Sequence, residues 1–298
     1  MKIEELRIET ARPEERTKHI VSLGAGVQST VLYLLAAEGK IIPRPLGAVF
    51  ADTGWEPPHV YEHLDWLESL ETGIPIYRVS AGDLYDDVWN AKKADRNDPI
   101  PFITIPTFGP NMQGKVTITR RQCTGDYKIK PIQKKCSELI GRKPRARSPY
   151  CAQWLGITTD EWMRMKPAKP GWQENVWPLI EMGWSRQDCL KWFGANYPGR
   201  RLRKSSCVGC PFHGNRTWLD FSREYPEEME RVVLLDERLR SAEFPIAKWQ
   251  NKDSKRYLHG SAKPLREVLQ ELDRRDREQL TLFDRDDFTE ECEGHCGI

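Results

Sequence analysis

The stretch HIVSLGAGVQSTVLYLLA, residues 19–36, decides the fold expected for this chain. It predicts a short apolar strand, a turn of small residues and a helix that begins at Ser29 or Thr30, because both are good N-caps. Gly24 and Gly26 allow a tight turn in which the backbone approaches a ligand closely. The start of the helix then offers N–H groups and a positive dipole end to an anion. The turn therefore predicts a phosphate or sulfate site, and the alternative is a plain glycine turn that binds nothing.

Two familiar nucleotide-binding patterns match this turn poorly. The dinucleotide fingerprint needs a third glycine where Ser29 stands, and the P-loop pattern needs a lysine that the turn lacks. Residues 24–29 instead resemble the Ser-Gly-Gly-x-Asp-Ser loop of the PP-loop superfamily, the adenine nucleotide α-hydrolases, without its leading serine and its aspartate. The ending Gln-Ser resembles the phosphoadenylyl-sulfate (PAPS) reductase-like branch. The resemblance implies that the nucleotide is held by Ser22, Gly24, Ala25, Gly26, Gln28 and Ser29.

A second apolar run, residues 46–50, is followed by Asp52, Thr53 and Gly54. A helical stretch and a third apolar run follow, and this alternation predicts an α/β fold with a doubly wound, mostly parallel sheet. Ligands lie beyond the carboxyl ends of such strands, so these three residues and the glycine turn are expected at one edge. Asp-Thr-Gly also resembles the end of the second strand in the reductase branch, which implies contact with the nucleotide. An ordinary turn, or a dinucleotide site in which Asp52 binds a ribose hydroxyl, are the alternatives.

The composition restricts the class of protein. The 298 residues are enough for one large or two modest domains, and 46 Lys and Arg against 44 Asp and Glu give a net charge of +2. This balance does not indicate wholesale nucleic-acid binding, although basic residues cluster at 128–147 and 200–204. No apolar run is long enough for a membrane span, and the charged N-terminus lacks the apolar part of a secretory signal. A cytoplasmic protein is expected, in which the eight cysteines are metal-binding or catalytic rather than disulfide-forming.

Two segments carry cysteines in recognisable surroundings. RRQCTGDYKIKPI, residues 120–132, resembles the Cys-Cys-x-x-Arg-Lys-Val-x-Pro-Leu segment of the iron–sulfur sulfonucleotide reductases, with Thr124 in place of the second cysteine. Cys207 and Cys210 form a Cys-x-x-Cys pair that can place two thiolates on one metal centre. The resemblance implies a [4Fe-4S] cluster on Cys123, Cys207 and Cys210.

The fourth ligand of such a cluster is open. Cys189 is our choice because it lies one helix and one loop before Cys207, and Cys136 and Cys151 are weaker candidates. A cluster with three protein ligands is an alternative, and its open iron could hold a sulfide for transfer. A structural zinc on the Cys-x-x-Cys pair with His213 and one further ligand, or buried free thiols, would also explain the cysteines.

Other parts of the chain carry weaker signals. Arg164 occupies a turn that loosely resembles a nucleotide-proximal turn of the family, and an exposed helix arginine is the alternative. Cys292, in the sequence ECEGHC, resembles the cysteine of the mobile C-terminal motif of the reductases, which implies a nucleophile. Residues 90–115 predict a loop or lid, and Ser185 is expected to cap the helix that carries Cys189.

The resemblance extends over most of the chain and predicts three parts. These are an N-terminal extension (1–18), a PP-loop nucleotide-binding and iron–sulfur domain (19–218), and a helical C-terminal region with a cysteine-containing tail (219–298).

The resemblance implies an adenine-nucleotide-dependent sulfur-transfer enzyme. Such an enzyme uses ATP, with Mg²⁺ as an optional companion, to activate an oxygen for replacement by sulfur. Enzymes of DNA phosphorothioation and transfer-RNA thiolation are relatives of this type. The basic stretches favour a large acceptor, and these relatives suggest that it is nucleic acid. A thiol or a sulfur donor protein is expected to supply the sulfur. One alternative is a sulfonucleotide reductase that makes sulfite from PAPS or APS, with Cys292 attacking the sulfur. The other is a non-catalytic nucleotide- or nucleic-acid-binding module with structural zinc.

Overall fold

A computed structural model of the chain describes residues 5–90, 103–111, 113–146, 148–241 and 255–278. The strands are β1 (Leu6–Arg7), β2 (Thr17–Ser22), β3 (Ile41–Ile42), β4 (Ala48–Asp52), β5 (Ile76–Ser80), β6 (Phe108–Pro110), β7 (Val116–Ile118), β8 (Tyr150–Trp154) and β9 (Gln173–Val176). The α-helices are α1 (Val27–Ala37), α2 (Pro58–Ser69), α3 (Leu84–Trp89), α4 (Lys130–Leu139), α5 (Pro178–Glu181), α6 (Arg186–Asn196), α7 (Asn215–Glu224), α8 (Pro226–Arg238) and α9 (Leu265–Glu278). A π-helical segment, Thr124–Ile129, leads directly into α4.

Five strands form the central sheet, in the order β5-β4-β2-β8-β9, and all four pairings are parallel. The chain builds one half of this sheet outward from β2 through β4 to β5, and then returns to add β8 and β9 on the other side of β2. The strand order therefore reverses between β2 and β8, where parallel α/β sheets bind ligands. Val21 lies beside Trp154 in the register, so both strands end at the same level.

Helices cover both faces of this sheet because successive side chains of a strand point to opposite faces. Val21 and Phe50 belong to a core with α1, α2 and α6, whereas Ile20 and Val49 pack on the opposite face against Ile132 and its neighbours in α4. The prediction of an α/β fold with a parallel sheet covered on both faces is confirmed.

The first helix begins earlier than the sequence suggested. Its N-cap is Gly26, with φ −94° and ψ −176°, and Ser29 is already the third helical residue. The prediction that Ser29 or Thr30 caps the helix is therefore wrong. Ala25 adopts a left-handed conformation with φ +57°, which closes the turn within fewer residues than the pattern indicated.

A third core lies beyond the carboxyl edge of the sheet. It joins α7, α8 and α9 to Trp55, Tyr127 and the start of α3. The buried residues of α8 in this core include Met229, Val232, Val233 and Leu235. Both predicted domain boundaries fall inside elements, since residue 18 lies in β2 and residue 218 in α7. The tail that carries Cys292 lies outside the described residues.

Residues 90–115, predicted as a loop or lid, are partly buried in the structure. Residues 91–102 lie outside the described residues, but Ile103 and Ile105 pack into the third core and β6 and β7 form an antiparallel hairpin. Residues 103–107 are a loop, as predicted, and Ile105 and Pro106 line the cysteine pocket described below, whereas the hairpin takes the place of the predicted loop from Phe108 onward. In the part of the chain that the structure describes, no helix combines the length and apolarity needed to cross a bilayer.

Candidate functional site: the glycine turn and the cysteine pocket

The glycine turn after β2 lies where the strand order of the sheet reverses. Gly26 starts α1 without a side-chain cap, and the first turn of the helix contains no acidic residue. The N-terminal dipole of α1 is therefore not offset by a carboxylate of its own first turn, which suits an anionic ligand.

Two distant segments hold this turn. The hydroxyl of Ser205 donates a hydrogen bond to the carbonyl oxygen of Gly24. Gly156, two residues after β8, lies against the first turn of α1, since a Cβ at this position would come 2.7 Å from the amide nitrogen of Ser29. Only a glycine allows this approach, so the residues after β8 support the turn from behind.

Charged and polar side chains surround the start of α1. Gln28 donates to Glu161 (Nε2 to Oε2, 3.2 Å) and accepts from Arg186 (Nη1 to Oε1, 3.1 Å). Glu161 also accepts from Arg164 at 3.0 Å. Burial raises the pKa of Glu161, and the charge of Arg164 opposes this rise. The predicted residue Arg164 is thus joined to Gln28 through one carboxylate, and Arg186 brings a second guanidinium to this position.

The Asp-Thr-Gly sequence ends β4 at the same edge, as predicted. Asp52 Oδ1 accepts hydrogen bonds from the amide of Gly54 (2.8 Å) and from the hydroxyl of Tyr61 (2.9 Å). Burial and the bond to Asp52 raise the pKa of Tyr61. Gly54 has φ +71°, which favours glycine, and α2 is capped by Pro57 rather than by Asp52. Asp52 therefore stabilises this turn through its hydrogen bonds, and the residue of the Asp-Thr-Gly sequence that contacts a cysteine is Thr53.

Three of the predicted metal-binding cysteines line one pocket. Its wall contains Cys123, Cys207 and Cys210 together with Thr53, Trp55, Leu84, Ile105, Pro106, Arg121, Thr124, Lys128, Pro211 and Phe212. The hydroxyl of Thr53 lies 3.3 Å from Cys207 Sγ, so the end of β4 contacts the pocket directly.

A buried carboxylate stands beside these thiols. Glu56 Oε1 accepts from Thr53 Oγ1 (3.2 Å), lies 3.2 Å from Lys128 Nζ and accepts from Cys207 Sγ at 3.7 Å. The side chains of Glu56 and Lys128 are only 1% and 13% exposed. Glu56 Oε2 has no hydrogen-bond partner among the described residues. A buried carboxylate oxygen without a hydrogen-bond partner is costly, so this oxygen is suited to a donor group of a ligand.

Backbone contacts shape the Cys-x-x-Cys loop. The amide of Val208 donates to the carbonyl oxygen of Trp55 at 2.9 Å, and the indole lies against Gly209, where a Cβ would come 2.3 Å from the ring. His213 Nε2 is 2.9 Å from the carbonyl oxygen of Cys207 and 3.1 Å from that of Val208, so this nitrogen carries the proton. Burial lowers the pKa of His213 to about 3. His213 therefore supports the loop with Nε2 and does not present that nitrogen to a zinc ion.

Cys189 is a correction to the predicted ligand set. It is fully buried on α6 in the core that contains α1, whereas the other three cysteines belong to the pocket beyond the sheet edge. Burial raises the pKa of Cys189 to about 12, which is typical of an inert thiol. Cys136 and Cys151 are buried under the opposite face of the sheet.

The pocket offers three thiols without forming a ready metal centre. No three His, Cys, Asp or Glu side chains of the described ranges are close enough together to hold a metal ion. The pocket therefore brings together three of the four cysteines that were predicted as cluster ligands, and Cys189 is not among them.

Known proteins with similar sequences add little on function. No protein-family model matches the chain. The chain is 26% identical over 185 residues to a protein of Escherichia phage lambda described as an uncharacterized nin region protein, which covers 59% of this chain and 58% of that protein. It is 43% identical over 67 residues to an uncharacterized 37.8 kDa protein of Escherichia phage 186, which covers 22% of this chain and 19% of that protein. The chain therefore matches less than two thirds of either relative's length.

Several residues of this site were not predicted from the sequence. Gly156 and Ser205 hold the turn, Glu161 and Arg186 flank it, and Glu56 stands beside Cys207. A glycine directly after an apolar strand was a usable signal for Gly156. The other four depend on contacts between distant parts of the chain, which no local pattern encodes.

Proposed function

We propose that this protein is an adenine-nucleotide-dependent sulfur-transfer enzyme of the PAPS reductase-like branch of the PP-loop superfamily. The observation that carries the proposal is the position of residues 205–210. Ser205 is bonded to the glycine turn, and Cys207, two residues later, contacts Thr53 and lines the cysteine pocket. One short segment therefore joins a turn suited to phosphates to a pocket suited to sulfur chemistry.

The turn would bind the phosphates of the nucleotide. The first N–H groups of α1 point to its N-terminal end, and the close approach allowed by Gly24 and Gly26 leaves the backbone accessible to an anion. Arg186 and Arg164 would add positive charge on one side of the turn, where phosphate charge develops as the nucleotide reacts. Mg²⁺ would accompany ATP as its usual counter-ion.

The cysteine pocket would handle the sulfur. Glu56 would accept the proton of the Cys207 thiol along the 3.7 Å contact and become neutral, and the positive charge of Lys128 would stabilise the thiolate that forms. The apolar wall of Trp55, Ile105 and Phe212 excludes water. Cys123, Cys207 and Cys210 would hold an iron–sulfur cluster, which supplies sulfide or electrons when bound.

The acceptor of the sulfur is proposed to be an oxygen of a larger molecule, nucleic acid in the first place. A thiol or a sulfur-carrying protein would restore the sulfur after each turnover. The competing reduction of PAPS or APS depends on Cys292, which lies outside the described residues.

The decisive experiment is an incubation of anaerobically purified protein with ATP and, separately, with PAPS or APS. We expect iron and acid-labile sulfide in near-equal amounts, and release of pyrophosphate or AMP from ATP without sulfite. Release of sulfite from PAPS or APS would indicate a sulfonucleotide reductase rather than a sulfur-transfer enzyme. Stoichiometric zinc with no nucleotide turnover would instead indicate a binding module.

A further inference from the structure

A basic cleft lies next to the cysteine pocket. Its volume is about 420 Å³, and its lining contains the four cations Arg120, Arg121, Lys166 and Lys169. The one carboxylate in the lining is Asp126, which is paired with Lys130 at 2.7 Å. The cleft is therefore strongly positive in a chain whose overall charge is close to balanced.

Three of these cations are not accounted for by internal contacts. Arg120, Lys166 and Lys169 are exposed, and none of them forms an ion pair with another residue in the described ranges. A set of exposed cations around one cleft suits a ligand with several negative charges, such as successive phosphates of a nucleic-acid strand.

An exposed aromatic side chain lies in the segment that leads into the cleft. Trp162 is 63% exposed and its neighbour Met163 is 78% exposed, four and three residues before Lys166. In the same segment Glu161 contacts Gln28 of the glycine turn. An exposed indole four residues along the chain from a cation of the cleft is of the kind on which unpaired bases stack.

The cleft and the cysteine pocket share two wall residues, Arg121 and Thr124. Arg121 also lies over the ring of Phe212, 5.4 Å from its centre, and Phe212 belongs to the cysteine pocket. Arg121 and Thr124 therefore form a wall common to the cleft and to the pocket that contains Cys123.

We propose that this cleft binds a single-stranded segment of nucleic acid. Arg120, Lys166 and Lys169 contact the phosphates, and Trp162 stacks on a base. An indole that faces solvent stacks on a base only where that base is unpaired, which is why the strand is single. The identification of this strand as the sulfur acceptor rests on the proposed function, whereas the binding itself does not.

The test measures binding of labelled oligonucleotides by fluorescence anisotropy at several salt concentrations. Single-stranded DNA, single-stranded RNA of the same sequence and the corresponding DNA duplex are compared, and the difference between the two single strands identifies the natural ligand. Lys166→Ala and Lys169→Ala should each weaken single-strand binding and reduce the slope of log affinity against log salt by about 0.7. Trp162→Ala should weaken binding about five-fold or more, and Trp162→Phe should restore most of it.

The matched control is Lys191→Ala, which removes an exposed cation of α6 and should leave binding and salt slope unchanged. Equal binding by the cleft variants and this control would overturn the proposal, as would tight duplex binding that is indifferent to Trp162→Ala. Calorimetric titration with ATP on the same variants separates the two proposals. Failure of the wild-type protein to bind ATP would refute the proposed function and leave the cleft result intact.

Discussion

Adding a single methyl group at Gly156 tests the glycine turn as a nucleotide site. In Gly156→Ala the new Cβ would lie 2.7 Å from the amide nitrogen of Ser29 and 2.9 Å from Ser29 Cα and from the carbonyl carbon of Gln28. All three atoms belong to the backbone of α1, so no flexible side chain can give way. Ordinary contacts begin at 3.4 Å, and the first turn of the helix must therefore move by about 0.7 Å.

The displacement moves the N–H groups that would bind the phosphates. Overpacking of this kind costs about 1–3 kcal/mol, and each 1.4 kcal/mol is a factor of ten in affinity. We expect Gly156→Ala to bind ATP about ten-fold more weakly, measured by isothermal titration calorimetry. The circular dichroism spectrum should be unchanged, with thermal unfolding a few degrees lower.

The control is Gly194→Ala on α6, where a Cβ meets nothing within 4 Å. This change should leave ATP binding unaltered and stabilise the protein slightly, because alanine is the better helix former. Wild-type affinity in a folded Gly156→Ala protein would refute the argument that this turn binds the nucleotide.

Three further outcomes follow from the same structure. Cys207→Ala should lose iron and acid-labile sulfide together, whereas Cys189→Ala should keep both in a colorimetric assay; iron lost from the Cys189 variant alone would contradict the three-cysteine pocket. Burial lowers the pKa of His213 from 6.5 to about 3, so the folded protein holds this imidazole neutral while the unfolded chain protonates it below pH 6.5. The contribution of neutral His213 to the free energy of unfolding is therefore complete above pH 6.5 and declines as the pH falls towards 3. The urea midpoint should therefore be lower at pH 5 than at pH 7, and equal midpoints would disprove it. Asp236→Ala should cost about 3 kcal/mol in urea unfolding, since the fully buried carboxylate binds two backbone amides at 2.8 Å and one arginine, while the exposed Glu230→Ala should cost less than about 1 kcal/mol.

The parts of the site predicted correctly from the sequence are those that local pattern and strand direction determine. The turn after β2 and Asp52, Thr53 and Gly54 after β4 lie at one edge because neighbouring parallel strands end together. Ser185 caps the helix that carries Cys189, as predicted, and the structure adds a capping box with Asp188.

The errors arise where a prediction depended on distance along the chain or on a backbone angle. Cys189 is close to Cys207 in sequence, but α6 places it in the core against α1, whereas Cys207 lines the separate cysteine pocket. The early start of α1 depends on the left-handed conformation of Ala25. Alanine rarely adopts this conformation, so the sequence gives no signal for it.

The bond between Ser205 and Gly24 joins residues 181 positions apart, and the packing of Gly209 on Trp55 bridges a similar separation. Contacts of this range form late, since a long loop must close before they contribute any stability. A nascent chain that ends before residue 205 can pair β2 with β4 and β8, yet its glycine turn lacks its tie and its cysteine pocket lacks one wall. The turn and the cysteine pocket are therefore both incomplete until the segment that begins at Ser205 has folded onto them, so one late step completes the two together.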